Sequence, residues 1–289
     1  MFLKTIFLLF QFSASQTVSL CDKYTTALFK NNTAENQQTL VTLVVNTAII
    51  GNYTNGSMNA VPGILAKDGN LVQFFDGSMS TTNENNVPTK VNFLDDGGAA
   101  PLLLNKPANG TNSRQYTLVT HLYQVFGSLL GCSKQADNST FKPYSGDLSM
   151  FEVHKFMKLN QTQVTYFIKQ VGLSALSFGV SVEDATSVGD AMSNLFLMRC
   201  SPPTALGPGA PPQLQSVCIT DDCVVDPKGD CNLYTSTMTS TMTGTMTGTM
   251  TRTATKTTST SRTPSATMSN SAESIELSLS LFMIAALLM

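Results

Sequence analysis

Histidine is scarce in this chain: there are two in 289 residues, His121 and His154. With so few, a hydrolase built on a Ser–His or Cys–His pair is a poor reading. No Cys-x2-Cys pair occurs and no histidine lies near the cysteines, which argues against a zinc site. Charge is sparse too. Asp, Glu, Lys and Arg make up 12% of residues, the net charge is -2, and no basic stripe exists, so nucleic acid is excluded as a natural partner. Gly-x-Gly-x-x-Gly, the P-loop, His-Glu-x-x-His and Gly-x-Ser-x-Gly are all missing. The carboxylates of DDGGAAP (95–101) read as a solvated loop.

No apolar run is long enough to span a bilayer. The opening MFLKTIFLLFQFSAS has one lysine, an apolar stretch and small residues at Ser13 and Ser15, the pattern of a secretory signal peptide over 1–15. The closing LSLSLFMIAALLM has about 13 residues, against the roughly 20 of a membrane helix. Small residues around Asn270, a short polar spacer and this tail form the pattern of a GPI-attachment signal, with Asn270 as the site and 271–289 as the propeptide. A tail-anchored membrane helix is the rival reading. Export to the cell surface agrees with Asn-X-Ser/Thr sequons at Asn31, Asn52, Asn55, Asn109, Asn138 and Asn160.

In an oxidising compartment the six cysteines should mostly pair. Cys21, Cys132 and Cys200 are far apart, whereas Cys218, Cys223 and Cys231 are close together. Three in each group leaves room for one bridge between groups, and the connectivity stays open. Cys21 and Cys200 bracket the folded region, so a bridge between them is one expectation, with Cys132 as the competing partner.

The chain divides by composition. Residues 21–200 read as the folded domain, 201–217 as a Pro/Gly linker (SPPTALGPGAPPQ), 218–231 as a small Cys-rich segment and 232–270 as a Thr/Ser stalk suited to O-glycans. Within the domain, apolar spacing predicts helices over 36–50, 116–130, 161–178 and 183–198, with Asn160 and Ser181 as N-caps. The β-branched residues of 40–50 leave some room for a strand. Residues 53–114 are rich in Gly, Asn and Pro and show little periodicity. The expected class is all-α with one large irregular insert.

The stretch PYSGDLSMFEVHKFMKLN (143–160) places His154 on a short helix after a glycine turn. Phe74-Phe75, then VTHLYQVFGSLLGC, then Tyr144, Gly146, Met150 and His154, then a long helix, Gly179-Val180 and a final helix follow one another in order. This ordered set resembles the truncated (two-over-two) haemoglobin family, group I above all. Two departures stand out: Gly131 is followed by Cys132 where the family has a second glycine, and one extra residue separates Gly146 from Met150.

The resemblance implies a globin-like two-over-two sandwich and haem as cofactor, with His154 as the proximal iron ligand. It also implies a pocket drawing on Phe74, Phe75, Leu118, Leu122, Phe126, Tyr144, Met150 and Val164. The family's polar distal positions fall on Leu118, Leu122 and Ile49, so the polar lid that retains oxygen is absent. His121 sits beside the distal position; it either swings over the iron as a sixth ligand or, the favoured reading, faces outward beside Tyr123 and Gln124. The implied function is a lipid-anchored, cell-surface haem protein that binds a diatomic gas: oxygen, nitric oxide or carbon monoxide. No catalytic acid, base or flavin domain is evident; any nitric oxide or peroxide chemistry would draw on an external electron donor. The alternative is a haem-free surface glycoprotein with a structural or adhesive role.

Overall fold

Hydroxyl and amide side chains open the helices, each satisfying a backbone N–H that the first turn leaves free. Ser19 caps α1 (Leu20–Phe29) and Thr33 caps α2 (Ala34–Ile50). A short α3 (Ala99–Leu102) has no such cap. Ser113 caps α4 (Arg114–Leu129), Ser149 caps α5 (Met150–His154), and Asn160 with Gln163 forms a reciprocal capping box on α6 (Gln161–Ser177). Ser181 caps α7 (Val182–Met192), which runs into one π-helical turn at Ser193–Leu197. The computed structural model describes residues 18–239, ending in α8 (Cys231–Thr239). The expected signal peptide, the expected GPI signal with Asn270 and the expected stalk beyond 239 lie outside the described residues.

The chain is mostly helical, compatible with the all-α class. The one sheet among the described residues is a hairpin, β1 (Thr82–Glu84) with β2 (Val87–Thr89). Asn85 and Asn86 turn it with φ of 53° and 64°, the paired left-handed backbone of a two-residue hairpin turn.

Helix α2 is the central element. It buries Leu40, Val41, Val44, Val45, Ala48 and Ile49 and packs against both α4 and α6. Its β-branched residues do not draw it into a strand, because burial on most of its surface rewards helical packing over local propensity. Two polar ties fix its neighbours. Tyr123 of α4 donates to Asn46 Oδ1 at 2.7 Å, and Ser174 of α6 donates to the Val44 carbonyl at 2.6 Å. After α2 the chain doubles back at Gly51 and Gly63, which have φ of 85° and 91°. A Cβ on Gly63 would meet Gly51 N at 2.4 Å, so only glycine allows this approach. The insert then makes two short 3-10 turns, Lys67–Gly69 and Val72–Phe74, before the hairpin. The DDGGAAP carboxylates do specific work: Asp95 accepts from the N–H groups of Arg114 and Gln115 at the start of α4, and Asp96 accepts from Gly110 N.

The disulfides are Cys21–Cys132, Cys200–Cys231 and Cys218–Cys223. The expected Cys21–Cys200 bridge is therefore corrected: Cys21 pairs with its competitor. The reason is local. Cys21 N donates to the Leu130 carbonyl at 3.1 Å, which brings the start of α1 to the end of α4 and sets Cys132 beside it. Cys200–Cys231 joins the two cysteine groups.

Residues 201–230, read from composition as linker and knot, pack on the helices. Leu206, Gln215, Ser216 and Cys218 are buried. Cys218 bridges to Leu159 and Val225 to Arg199 in parallel, and the Gln215 amide donates to the carbonyls of Leu148 and Thr204. At the end of this strap, Tyr234 of α8 meets Phe151 of α5 edge to face, with ring centroids 4.7 Å apart.

Candidate functional site

A cavity of about 340 Å³ lies among α2, α4, α5, α6 and the insert, within the size range of small-molecule and cofactor sites. Its walls are mostly apolar. Ile49 comes from α2, Phe74 and Phe75 from the second 3-10 turn, and Leu118, Leu122, Val125 and Phe126 from α4. Met150, Val153 and Met157 come from α5 and the turn after it, and Val164 and Phe167 from α6. Both histidines of the chain also line it.

His154 ends the five-residue α5. Its Nδ1 is 2.8 Å from the Met150 carbonyl oxygen. Burial among apolar walls holds its pKa below the ordinary value, against the opposing effect of the Met150 hydrogen bond. The neutral imidazole is thus favoured, the form that binds metal.

Sequence reasoning set His121 facing outward, and the structure corrects this: His121 lines the cavity. The helix phase explains it. Tyr123, the residue expected beside it at the surface, is 4% exposed and bonded to Asn46. Helix α4 therefore buries two stripes, one toward α2 and one (Leu118, His121, Leu122, Val125) toward the cavity. Burial lowers the His121 pKa as well.

Of the other residues expected at the pocket, Phe74, Phe75, Leu118, Leu122, Phe126, Met150 and Val164 line it. Tyr144 does not. It stands edge-on to His121, ring centroids 5.7 Å apart, and its hydroxyl donates to the Asp147 carbonyl. Leu118, Leu122 and Ile49 put no hydrogen-bond donor into the cavity from the positions where the resemblance would have a polar lid.

Sequence reasoning missed other lining residues. Thr81, Thr82 and Glu84 come from the hairpin region, Arg114 from the first turn of α4, and Val217 from the strap. The hairpin is fastened to α5. Asn83 donates to the Glu152 carbonyl at 3.0 Å, and Lys155 Nζ donates to Asn86 Oδ1 at 2.5 Å and to Glu152 Oε2 at 2.7 Å. Lys155 is buried, its side chain 1% exposed.

The donor set fits a haem. One neutral imidazole with its second nitrogen anchored suffices as a protein ligand to haem iron, and an apolar slot suits a porphyrin. Among the described residues no group of three or more His, Cys, Asp and Glu side chains stands ready to hold a bare metal ion. No family model, curated protein or solved structure matches the chain.

Proposed function

We propose that this protein is a cell-surface haem protein of the two-over-two globin type, binding a diatomic gas at iron ligated by His154. The observation that carries the reading is the pairing of an apolar cavity with a histidine whose Nδ1 is committed to a backbone carbonyl. Bound haem supplies an iron atom that takes up oxygen, nitric oxide or carbon monoxide.

The chain's own residues do the rest. His154 offers Nε2 to the iron. Phe74, Phe75, Phe126 and Val164 hold the ring by apolar burial, at about 25 cal/mol per Å² removed from water. Leu118, Leu122 and Ile49 would present only apolar surface to a bound gas, with no proton to donate. Those three positions would favour carbon monoxide and nitric oxide over tight oxygen retention, which relies on distal donors. His121 is the one imidazole that α4 brings to the same cavity and that could supply such a donor.

Export, N-glycans on the six sequons and a C-terminal lipid anchor complete the proposal. Titrating the purified protein with hemin tests it. A saturable Soret band at one haem per chain is the expected result; no uptake leaves the haem-free surface glycoprotein as the reading.

A further inference from the structure

We propose that the mouth of the cavity is an anion-binding end, where Arg114 takes the carboxylate of an otherwise apolar ligand in place of Glu84. Arg114 and Glu84 are the two side chains of fixed charge type among the residues lining the cavity. Their Nη1 and Oε1 atoms are 3.2 Å apart, and the side chains are 62% and 41% exposed. The pair therefore stands where the apolar interior meets water. A ligand that fills the interior and still needs to hydrate a carboxylate has to direct it here.

The arrangement favours exchange. Arg114 is held by its backbone, through the Ser113 cap and the hydrogen bond from its N–H to Asp95 Oδ2. Its guanidinium is therefore presented from a fixed point while most of its five donors stay open. An exposed ion pair is weak, so a ligand carboxylate that binds two guanidinium N–H groups side by side displaces it with gain. Glu84 has somewhere to go: it ends β1, and the hairpin stays fastened to α5 through Asn83 and Asn86 without it.

The ligand class is a flat apolar acid. A porphyrin with its carboxylates is the member of that class chosen above, and the inference deepens that reading. The anion end itself needs no iron, which allows a separate test. The full-length protein is titrated with hemin, iron-free protoporphyrin IX and protoporphyrin IX dimethyl ester, following porphyrin absorbance and fluorescence.

Arg114→Gln should weaken the free acid severalfold and leave the ester unchanged, whereas Glu84→Gln should tighten the free acid by a smaller factor. Both side chains are exposed, and the unchanged ester affinity serves as the control for folding. Equal weakening of acid and ester by Arg114→Gln, or no weakening of the acid, overturns the inference. So does failure of the wild type to bind the free acid. If the iron-free acid binds as tightly as hemin and His154→Ala changes neither, the iron-ligand reading fails while the anion end stands. If hemin binds through His154 but acid and ester bind alike, the anion end fails alone.

Discussion

His154 Nδ1 lies 2.8 Å from the carbonyl oxygen of Met150, one helical turn earlier. A carbonyl can only accept, so Nδ1 carries the proton and Nε2 keeps its lone pair. The ring is thereby both oriented and set in the tautomer that binds a metal through Nε2. A five-residue helix does this because positions i and i+4 share one face.

The same burial predicts acid sensitivity. Both histidines have native pKa values below the ordinary one, so on acidification the unfolded chain takes up protons first, starting near pH 6.5. The stabilisation is full above that pH. It is lost as pH falls through the window between the unfolded value and the lower native ones, at no more than about 1.4 kcal/mol per pH unit for each histidine. Urea unfolding of the haem-free protein at pH 7.5 and 5.5 should show the loss, and His121→Leu should reduce it. An unaltered difference between the two pH values in that variant would remove His121 from the account.

The Cys21–Cys132 bridge spans a sequence separation of 111. In the loop-entropy picture such a closure stabilises by about 4–5 kcal/mol, and losses of 2–5 kcal/mol are typical when a native bridge is removed. The double variant Cys21→Ala/Cys132→Ala should lower the denaturation midpoint accordingly. Peptide mapping should recover Cys21–Cys132, Cys200–Cys231 and Cys218–Cys223; a Cys21–Cys200 peptide would contradict the packing of α1 against the end of α4.

What was legible in the sequence was local. The caps at Asn160 and Ser181, the apolar stripes of α4 and α6 and the turn before His154 all depend on residues within a few positions of one another. Helix α1 was missed because its buried residues, Cys21 and Thr25, do not make an apolar stripe. The facing of His121 was missed because α4 buries two stripes, so polarity alone does not fix its phase. The strap was misjudged for a third reason. Its Pro/Gly composition folds it back on itself, with Thr204 paired antiparallel to Gln213, and backbone pairing to Leu159 and Arg199 and the buried Gln215 hold it in place. Those partners lie dozens of residues away. Val217 and Arg114 joined the site by the same long-range route.

Lys155 tests how firmly the hairpin is fastened. Glu152→Ala removes the carboxylate from a buried ammonium, a change that costs on the order of 3–5 kcal/mol where no other partner remains. Asn86 does remain, so a loss of about 2–3 kcal/mol is expected. The pair Lys155→Met/Glu152→Gln should lie nearer the wild type, having no charge to strand. A Glu152→Ala loss under about 0.5 kcal/mol, the range of ordinary surface changes, would contradict the buried pair.

The proposed anchor is tested on cells. Phosphatidylinositol-specific phospholipase C should release the protein into the medium. Retention, with a control substrate released, would favour a membrane helix.

The central claim is that His154 is the protein's bond to haem iron, and the most direct measurement compares hemin uptake by the wild type, His154→Ala and His121→Ala. The account predicts that His154→Ala holds haem weakly or loses it and that added imidazole partly restores its spectrum. His121→Ala should keep both haem and ferrous carbon monoxide binding. An unchanged spectrum in His154→Ala together with haem loss in His121→Ala would contradict it, and the iron would then belong to α4.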